Sequence, residues 1–400
     1  MSLSAKVASY GLIYTLCSIE FGFTLNFSGL PIEDLKKQYP DWDYHKDERL
    51  ISYFSNFASL FGAIGGFAIR LLFHFISGRK CLFTFHLINS VIWLLYFLLT
   101  PELLYVGIIL RSIQGIIVGG SASLTPIMMT NLSPEDTVGM VGCLNQFGIV
   151  LGMIIFSVVG TFASFQMLAT IAAIVGATFC GLVCIVPDDR TEKEKRETIF
   201  QRKNALNIVI GILLMVFQQF CGINAILDHL TDIMSNTGIY INENLQSALA
   251  QSSQLVSVFI ALFNMDGIGR RKMWGISSCF LLLSQMLYII CLNMKNAGWF
   301  QASSVFLYLL SFGQGQGPIP WFICHDLFAK GDRLDGQMLI TFGNMICSFG
   351  VTYLFPFLKK NMDEYIIMII FMCITLISLP FGMYFIPRKL DWSDENLTLI

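Results

Sequence analysis

Three side-chain amides, Gln218, Gln219 and Asn224, fall within two helical turns of an otherwise apolar run. An amide donates and accepts hydrogen bonds without carrying charge, which suits a neutral ligand bearing a ring of hydroxyls. Left unpaired in an apolar span, each such group costs about 1–3 kcal/mol. The cluster therefore needs a polar cavity or partner helices, and plain interhelical hydrogen bonding is the alternative.

A second constellation lies further along the chain. Gly313, Gly315 and Gly317 lower helix stability, and Pro318 and Pro320 each remove a backbone donor, so a broken or bent helix is expected there. Broken helices at membrane depth line cavities. Trp321 follows directly; an indole beside a bend can close a cavity by a small movement and can stack on an apolar ligand face. Two ionisable residues, Glu20 and Arg111, sit inside apolar runs, where charge is costly and usually functional. They are expected either to form a static pair or to provide a proton site.

The elements that must position these residues follow from composition. Of 400 residues, 55% are hydrophobic and 13% charged, and the mean hydropathy is +0.66, against about a quarter charged in soluble domains. Runs long enough to cross a bilayer occur at 7–28, 50–73, 80–99, 103–129, 138–160, 163–186, 204–227, 246–265, 273–293, 300–328, 336–358 and 364–386. The reading is an all-α membrane protein of twelve transmembrane helices. The first run lacks a small-residue cleavage site and reads as a span, not a leader. Lys and Arg concentrate on the segments that are inside if both termini are cytosolic, as the positive-inside rule requires.

A mixed-charge stretch divides the runs six and six. The expected organisation is an N-terminal bundle over 1–186, a short linker over 187–203, a C-terminal bundle over 204–386 and a tail over 387–400. Pro31 to Arg49 reads as a polar outer loop. The turn Ser77-Gly78-Arg79-Lys80 is echoed by Ile268-Gly269-Arg270-Arg271-Lys272. In each, the glycine permits positive φ, and the following arginine can meet a carbonyl helix end or a carboxylate such as Asp266. This repetition points to duplicated halves.

Net charge is only −2, which gives no reason to expect a nucleic-acid partner. The eleven cysteines form no CxxC pair and the five histidines no HxxxH, so neither a metal nor a cofactor is expected. Nor is an enzyme, since nucleophiles and bases are not clustered. No obligate protein partner is evident.

Three stretches, Gln218-Gln219-Phe220-Cys221-Gly222-Ile223-Asn224, Asp266-Gly267-Ile268-Gly269-Arg270-Arg271 and Gly315-Gln316-Gly317-Pro318-Ile319-Pro320-Trp321, together resemble the sugar porters of the major facilitator superfamily. Fainter similarity extends through Arg111 to Gly115, Pro126, Ser133-Pro134 and Gln146-Phe147-Gly148. The resemblance implies two pseudo-symmetric six-helix bundles around a central cavity, the major facilitator fold, and sugar transport by alternating access. It implies sugar contacts at Gln146, Gln218, Gln219, Asn224, Gln254 and Trp321, with Trp321 on the cytosolic side of the site. A cytosolic latch is expected from Asp266, Gly269, Arg270, Arg271 and Asp326, joined by Asp188 and Arg190.

The chain also departs from the family pattern. Phe75 and Ile76 replace an Asp-Arg before Gly78; Asn131 and Val138 stand in place of an acid and an arginine, and Gly313 in place of an acid. Met345 and Ser348 occupy positions where Trp and Asn are common. Phe21-Gly22-Phe23-Thr24 ends in threonine where proton-coupled members carry Asp, which favours a facilitator. The expectation is facilitated transport of a hexose or related sugar or polyol, in the plasma membrane. A proton symporter using Glu20 with Arg111, and a non-transporting sugar sensor, are the alternatives.

Overall fold

The computed structural model describes residues 5–187, 199–228, 230, 243–292, 294 and 298–387, and among these it contains helices and turns but no strand. Asp188, Arg190 and most of the expected linker and tail lie outside the described residues.

The first half comprises α1 (Ala5–Asn26), α2 (Gly29–Gln38), α3 (Glu48–Phe75), α4 (Gly78–Leu95), α5 (Leu104–Asn131), α6 (Val138–Gly160) and α7 (Phe165–Val183). The second comprises α8 (Arg202–Phe220), α9 (Ile223–Asp228), α10 (Glu243–Ile268), α11 (Arg270–Leu292), α12 (Gly298–Gln314), α13 (Ile319–Phe322), α14 (Cys324–Leu327), α15 (Arg333–Asn361) and α16 (Glu364–Phe385). Ten of these segments are long and apolar enough to cross a membrane. The other two crossings are α1 and the interrupted series α12 to α14. The end of the molecule at which α1 begins and α16 ends is termed proximal, and the opposite end distal.

Sequence repetition reappears as packing. In the first half α1 packs on α6, α3 on α5 and α4 on α7; in the second, α8 packs on α15, α10 on α12 and α11 on α16. The halves meet through α3 with α15 and α6 with α10. Each of these contacts maps onto its counterpart when the first span is matched to the seventh. The outer faces expose large apolar side chains such as Leu71, Ile109, Phe162 and Leu376, whereas Gln218, Gln254, Gln316 and Asn344 are buried. Apolar-out and polar-in is the pattern of a helix bundle surrounded by lipid.

Two expectations change. The supposed outer loop contains α2, whose Ile32 and Leu35 are buried. Gly269 has φ of +91°, but Gly78 does not share it: positive φ among described glycines occurs at Gly269 and Gly222. Gly78 is instead the first residue of α4, packed so that a side chain there would meet the Met128 sulfur. The arginines of the two turns nonetheless do equivalent work one register apart. Arg79 donates to the carbonyls of Cys184 and Val186 after α7, and Arg271 to those of Tyr384 and Ile386 at the end of α16. Each satisfies otherwise orphaned carbonyls at a helix C-terminus.

Candidate functional site

The break between α12 and α13 is the local feature around which the site forms. α12 stops at Gln314, and the Gly317 N–H turns back to the Phe312 carbonyl at 2.8 Å. With the ladder interrupted, the carbonyls of Gln316 and Gly317 face α8, where Gln218 Nε2 donates to them at 3.1 and 2.7 Å. Gln218 Oε1 accepts from Asn344 Nδ2 at 2.9 Å. Asn224 Nδ2 donates to Gln219 Oε1 at 2.6 Å and to Ser348 Oγ at 2.7 Å. The amides are thus pre-oriented by a broken helix and by α15, as a binding wall requires.

Gln146, Gln218, Gln219, Asn224, Gln254 and Trp321 all line one cavity of about 460 Å³, together with Asn344 and Ser348. Gln254 lines the cavity, and its Oε1 is buried without a hydrogen-bond partner, which leaves acceptor capacity beside the cavity wall. Among the described residues the cavity runs distally as far as Ser28, Glu48 and Pro356. Its proximal floor is Trp321, whose ring meets Phe21 of α1 edge to face at 5.9 Å and 90°. The floor therefore joins the two halves through aromatic contact.

Below the floor the halves are tied together. Asp266 Oδ1 and Oδ2 accept the N–H groups of Gly139 and Met140 at 2.9 and 2.7 Å, placing a carboxylate on the positive N-terminus of α6. Arg270 donates to Asp266 at 2.9 Å, and its Nε lies 3.1 Å from Asp326 as an ion pair, not an aligned hydrogen bond. Arg70 engages Asp335 through Nε and Nη2, and Arg333 donates to Asn131 Oδ1 at 2.7 Å. Although Asn131 and Val138 stand in place of an acid and an arginine, both places make contacts between the halves: Asn131 accepts from an arginine, and the start of α6 supplies backbone N–H groups in place of a basic side chain. Arg271 is placed elsewhere, on the α16 carbonyls. Gly269 contributes its turn conformation, which aims Arg270 at Asp266.

The direct Glu20–Arg111 pair is not formed. Glu20 Oε2 is hydrogen-bonded to His86 Nδ1, and both side chains are buried between α1 and α4. Arg111 donates to the carbonyls of Thr24 and Phe54 at 3.0 and 3.2 Å and to Gln114 at 3.0 Å. Backbone carbonyls and the Gln114 side chain at the distal end of α1 hold the guanidinium.

Asn344, His86, Arg70 and Asp335 were not singled out from sequence. Asn344, Ser348 and Thr352 recur at four-residue intervals and could have been read as one polar face; the other three carry no local signal. Gly313 has a steric reason, because a Cβ there would lie 2.0 Å from Ser257 Oγ and 2.8 Å from the Gln254 carbonyl.

The chain is 23% identical to the Gallus gallus solute carrier family 2, facilitated glucose transporter member 3, over 91% of this chain and 86% of that protein. It is 22% identical to the Drosophila sechellia facilitated trehalose transporter Tret1-2 homolog, over 96% and 89%. Its match to the Drosophila simulans facilitated trehalose transporter Tret1-1 spans 46% of that longer protein. The proton:xylose symporter XylE, solved with 6-bromo-6-deoxy-D-glucose, superposes with a TM-score of 0.83 at 20% identity over 96% of this chain and 97% of that one. Against the inward open conformation of XylE the TM-score is 0.72. The fold is therefore that of the major facilitators, two six-helix halves about a central cavity. With a family model described as sugar (and other) transporter matching residues 11–189 and 185–390, the chain belongs to that family of transporters.

Proposed function

We propose that this chain carries a hexose or a related sugar or polyol across a membrane by alternating access, as a facilitator. The observation that carries the reading is the convergence of Gln146, Gln218, Gln219, Asn224, Gln254 and Trp321, from both halves of the chain, on one cavity. An uncharged array of donors and acceptors beside an indole matches the hydroxylated edge and apolar face of a pyranose. The glucose and trehalose named for the relatives belong to this chemical class.

Among the described residues the cavity in this conformation extends distally to Ser28, Glu48 and Pro356, while Trp321, Phe21 and the pairs beneath them close the proximal end. Release on the proximal side then requires Gly315, Gly317, Pro318 and Pro320 to let the broken helix bend, and requires Asp266 to leave α6. Thr24 stands at the cavity wall, where it has no proton to give near neutrality. This supports facilitation at the site itself.

The remaining elements of the proposal are a plasma-membrane location, cytosolic termini, and two bundles over 1–186 and 204–386 joined by a linker over 187–203. The distribution of Lys and Arg supports this orientation, and the repeated helix pairing supports the division. Proximal then means cytosolic, and Trp321 sits on the cytosolic side of the sugar. Sugar and lipid suffice as partners.

The test is uptake of radiolabelled glucose into proteoliposomes, alongside other hexoses, trehalose and polyols. Saturable uptake that does not accumulate sugar above its outside concentration, even under an imposed proton gradient, is expected. Failure to take up any of them would instead support a sensor or a carrier of another solute.

A further inference from the structure

Glu20 is a carboxylate that the cavity does not use. It projects from α1 into the packing with α4 and α7 and is wholly buried. His86 Nδ1 and Asn89 Nδ2, both on α4, hydrogen-bond to its Oε2, the latter at 3.2 Å. From α7, Phe179 covers the imidazole edge to face at 4.8 Å, and Gly176 leaves the room that Oε1 occupies. The other titratable groups facing Glu20 are Cys17 on α1 and Cys180 on α7.

Two features set this cluster apart from a self-satisfied structural pair. First, Glu20 Oε1 and His86 Nε2 are both buried with no hydrogen-bond partner, although buried polar atoms are almost always paired. Second, the cluster runs continuously to the cavity wall. Asn89 Oδ1 accepts from Gln114 Nε2 at 3.4 Å. Gln114 Oε1 accepts from Arg111 Nη1 at 3.0 Å and from the Tyr96 hydroxyl at 3.3 Å. Arg111 Nη1 also donates to the carbonyl of Thr24, one turn beyond Glu20, and Arg111 and Thr24 both line the cavity.

We infer that Glu20 and His86 form an occluded proton-binding site whose occupancy is linked to the movement of α1. In the distal-open conformation one proton is shared between Glu20 Oε2 and His86 Nδ1, and the pair is electrically neutral. When the site opens to water, that proton leaves to water and a carboxylate and a neutral imidazole remain. The site then carries one negative charge in the apolar packing between α1, α4 and α7, which is costly to enclose. Movement of α1 back past α4 and α7 therefore favours the protonated pair. Asn89 and Gln114 transmit position and charge, not the proton, because an amide neither gains nor loses a proton near neutrality. Arg111 is held by the same network and by the Thr24 carbonyl, so the proton also steadies the cavity wall. Transport is consequently faster where the pair is protonated, even though Thr24 itself cannot titrate.

The transport arm of the test rests on the proposed carrier function; the spectroscopic arm does not. Infrared difference spectra of the purified full chain, recorded from about pH 5 to about pH 8, the general window in which histidine side chains change charge, should contain a proton-dependent band. That band should be lost in Glu20→Gln or His86→Gln. In proteoliposomes with equal pH on both sides, wild-type glucose uptake should fall several-fold over the same range. Both variants should show flat profiles with an unchanged KM, since neither residue lines the cavity. Absence of any band assignable to Glu20 or His86 overturns the inference, as does a wild-type pH profile that survives in both variants. If no sugar enters at any pH, the carrier function fails while the infrared titration still decides the proton site. If Glu20→Gln does not fold, the wild-type and His86→Gln spectra decide it.

Discussion

The side-chain amide of Gln218 donates to the carbonyl of Gly317 at 2.7 Å, so the polar face of α8 is held by the break between α12 and α13. One bond thus joins the two most distinctive stretches of the sequence. It also places the Gln218 amide at a junction that has to change when the broken helix bends.

Replacing Gln218 with alanine removes two carbonyl contacts and leaves Asn344 Nδ2, which donates to Gln218 Oε1, with the Met215 sulfur alone. Loss of buried hydrogen bonds of this kind costs about 1–3 kcal/mol. The KM for glucose should rise roughly 5- to 100-fold in Gln218→Ala, read from concentration-dependent uptake. A KM within twofold of wild type would remove Gln218 from the site.

Trp321→Ala takes away both the floor of the cavity and its aromatic partner for Phe21. The aromatic pair contributes about 0.5–1.5 kcal/mol beyond its buried area. Sugar affinity should fall by roughly threefold to tenfold, measured by sugar-dependent quenching of the remaining tryptophan fluorescence. Trp321→Phe should recover part of the loss; an alanine variant with wild-type affinity would show that the indole only fills space.

Asp266→Asn keeps the size of the side chain but removes the charge held by the α6 N-terminus and by Arg270. A partly buried anion at a helix N-terminus contributes about 1–2 kcal/mol, so the proximal closure should open several-fold more often. Cys143 and Cys324 are buried. Their labelling by a thiol reagent applied to purified protein, resolved by mass spectrometry, should accelerate in the variant. Equal labelling rates would show that Asp266 does not hold the closure.

Gly222 and Gly269 have φ of +98° and +91°, yet they should not respond alike to substitution. A Cβ at Gly222 would run into the Phe371 ring, whereas nothing lies within 4 Å of one at Gly269. The left-handed backbone alone costs a side chain about 1–2 kcal/mol. Gly269→Ala should lower stability by about that amount, and Gly222→Ala by clearly more, compared through thermal unfolding in detergent. The reverse order would contradict the packing at Phe371.

What the sequence by itself determined was the set of crossings, their duplication and the kinds of side chain placed within them. Length and apolarity suffice for a helix in lipid, because the backbone must satisfy its own hydrogen bonds there. The break at Gly315 to Pro320 was equally legible, since proline acts on its own helix. Partners across helices were not. Glu20 and Arg111 are candidate partners by sequence, but the rotation of α1 turns Glu20 toward His86 and gives Arg111 the carbonyls of Thr24 and Phe54 and the Gln114 side chain. Nothing local in the sequence marks Arg70 and Asp335 as a pair, and Val138, where the family pattern has an arginine, opens the helix whose backbone N–H groups hold Asp266. Charge and hydrogen bonding act through space between residues separated by dozens to hundreds of positions. Only the packing of α3 against α15 and of α6 against α10 decides which of them meet.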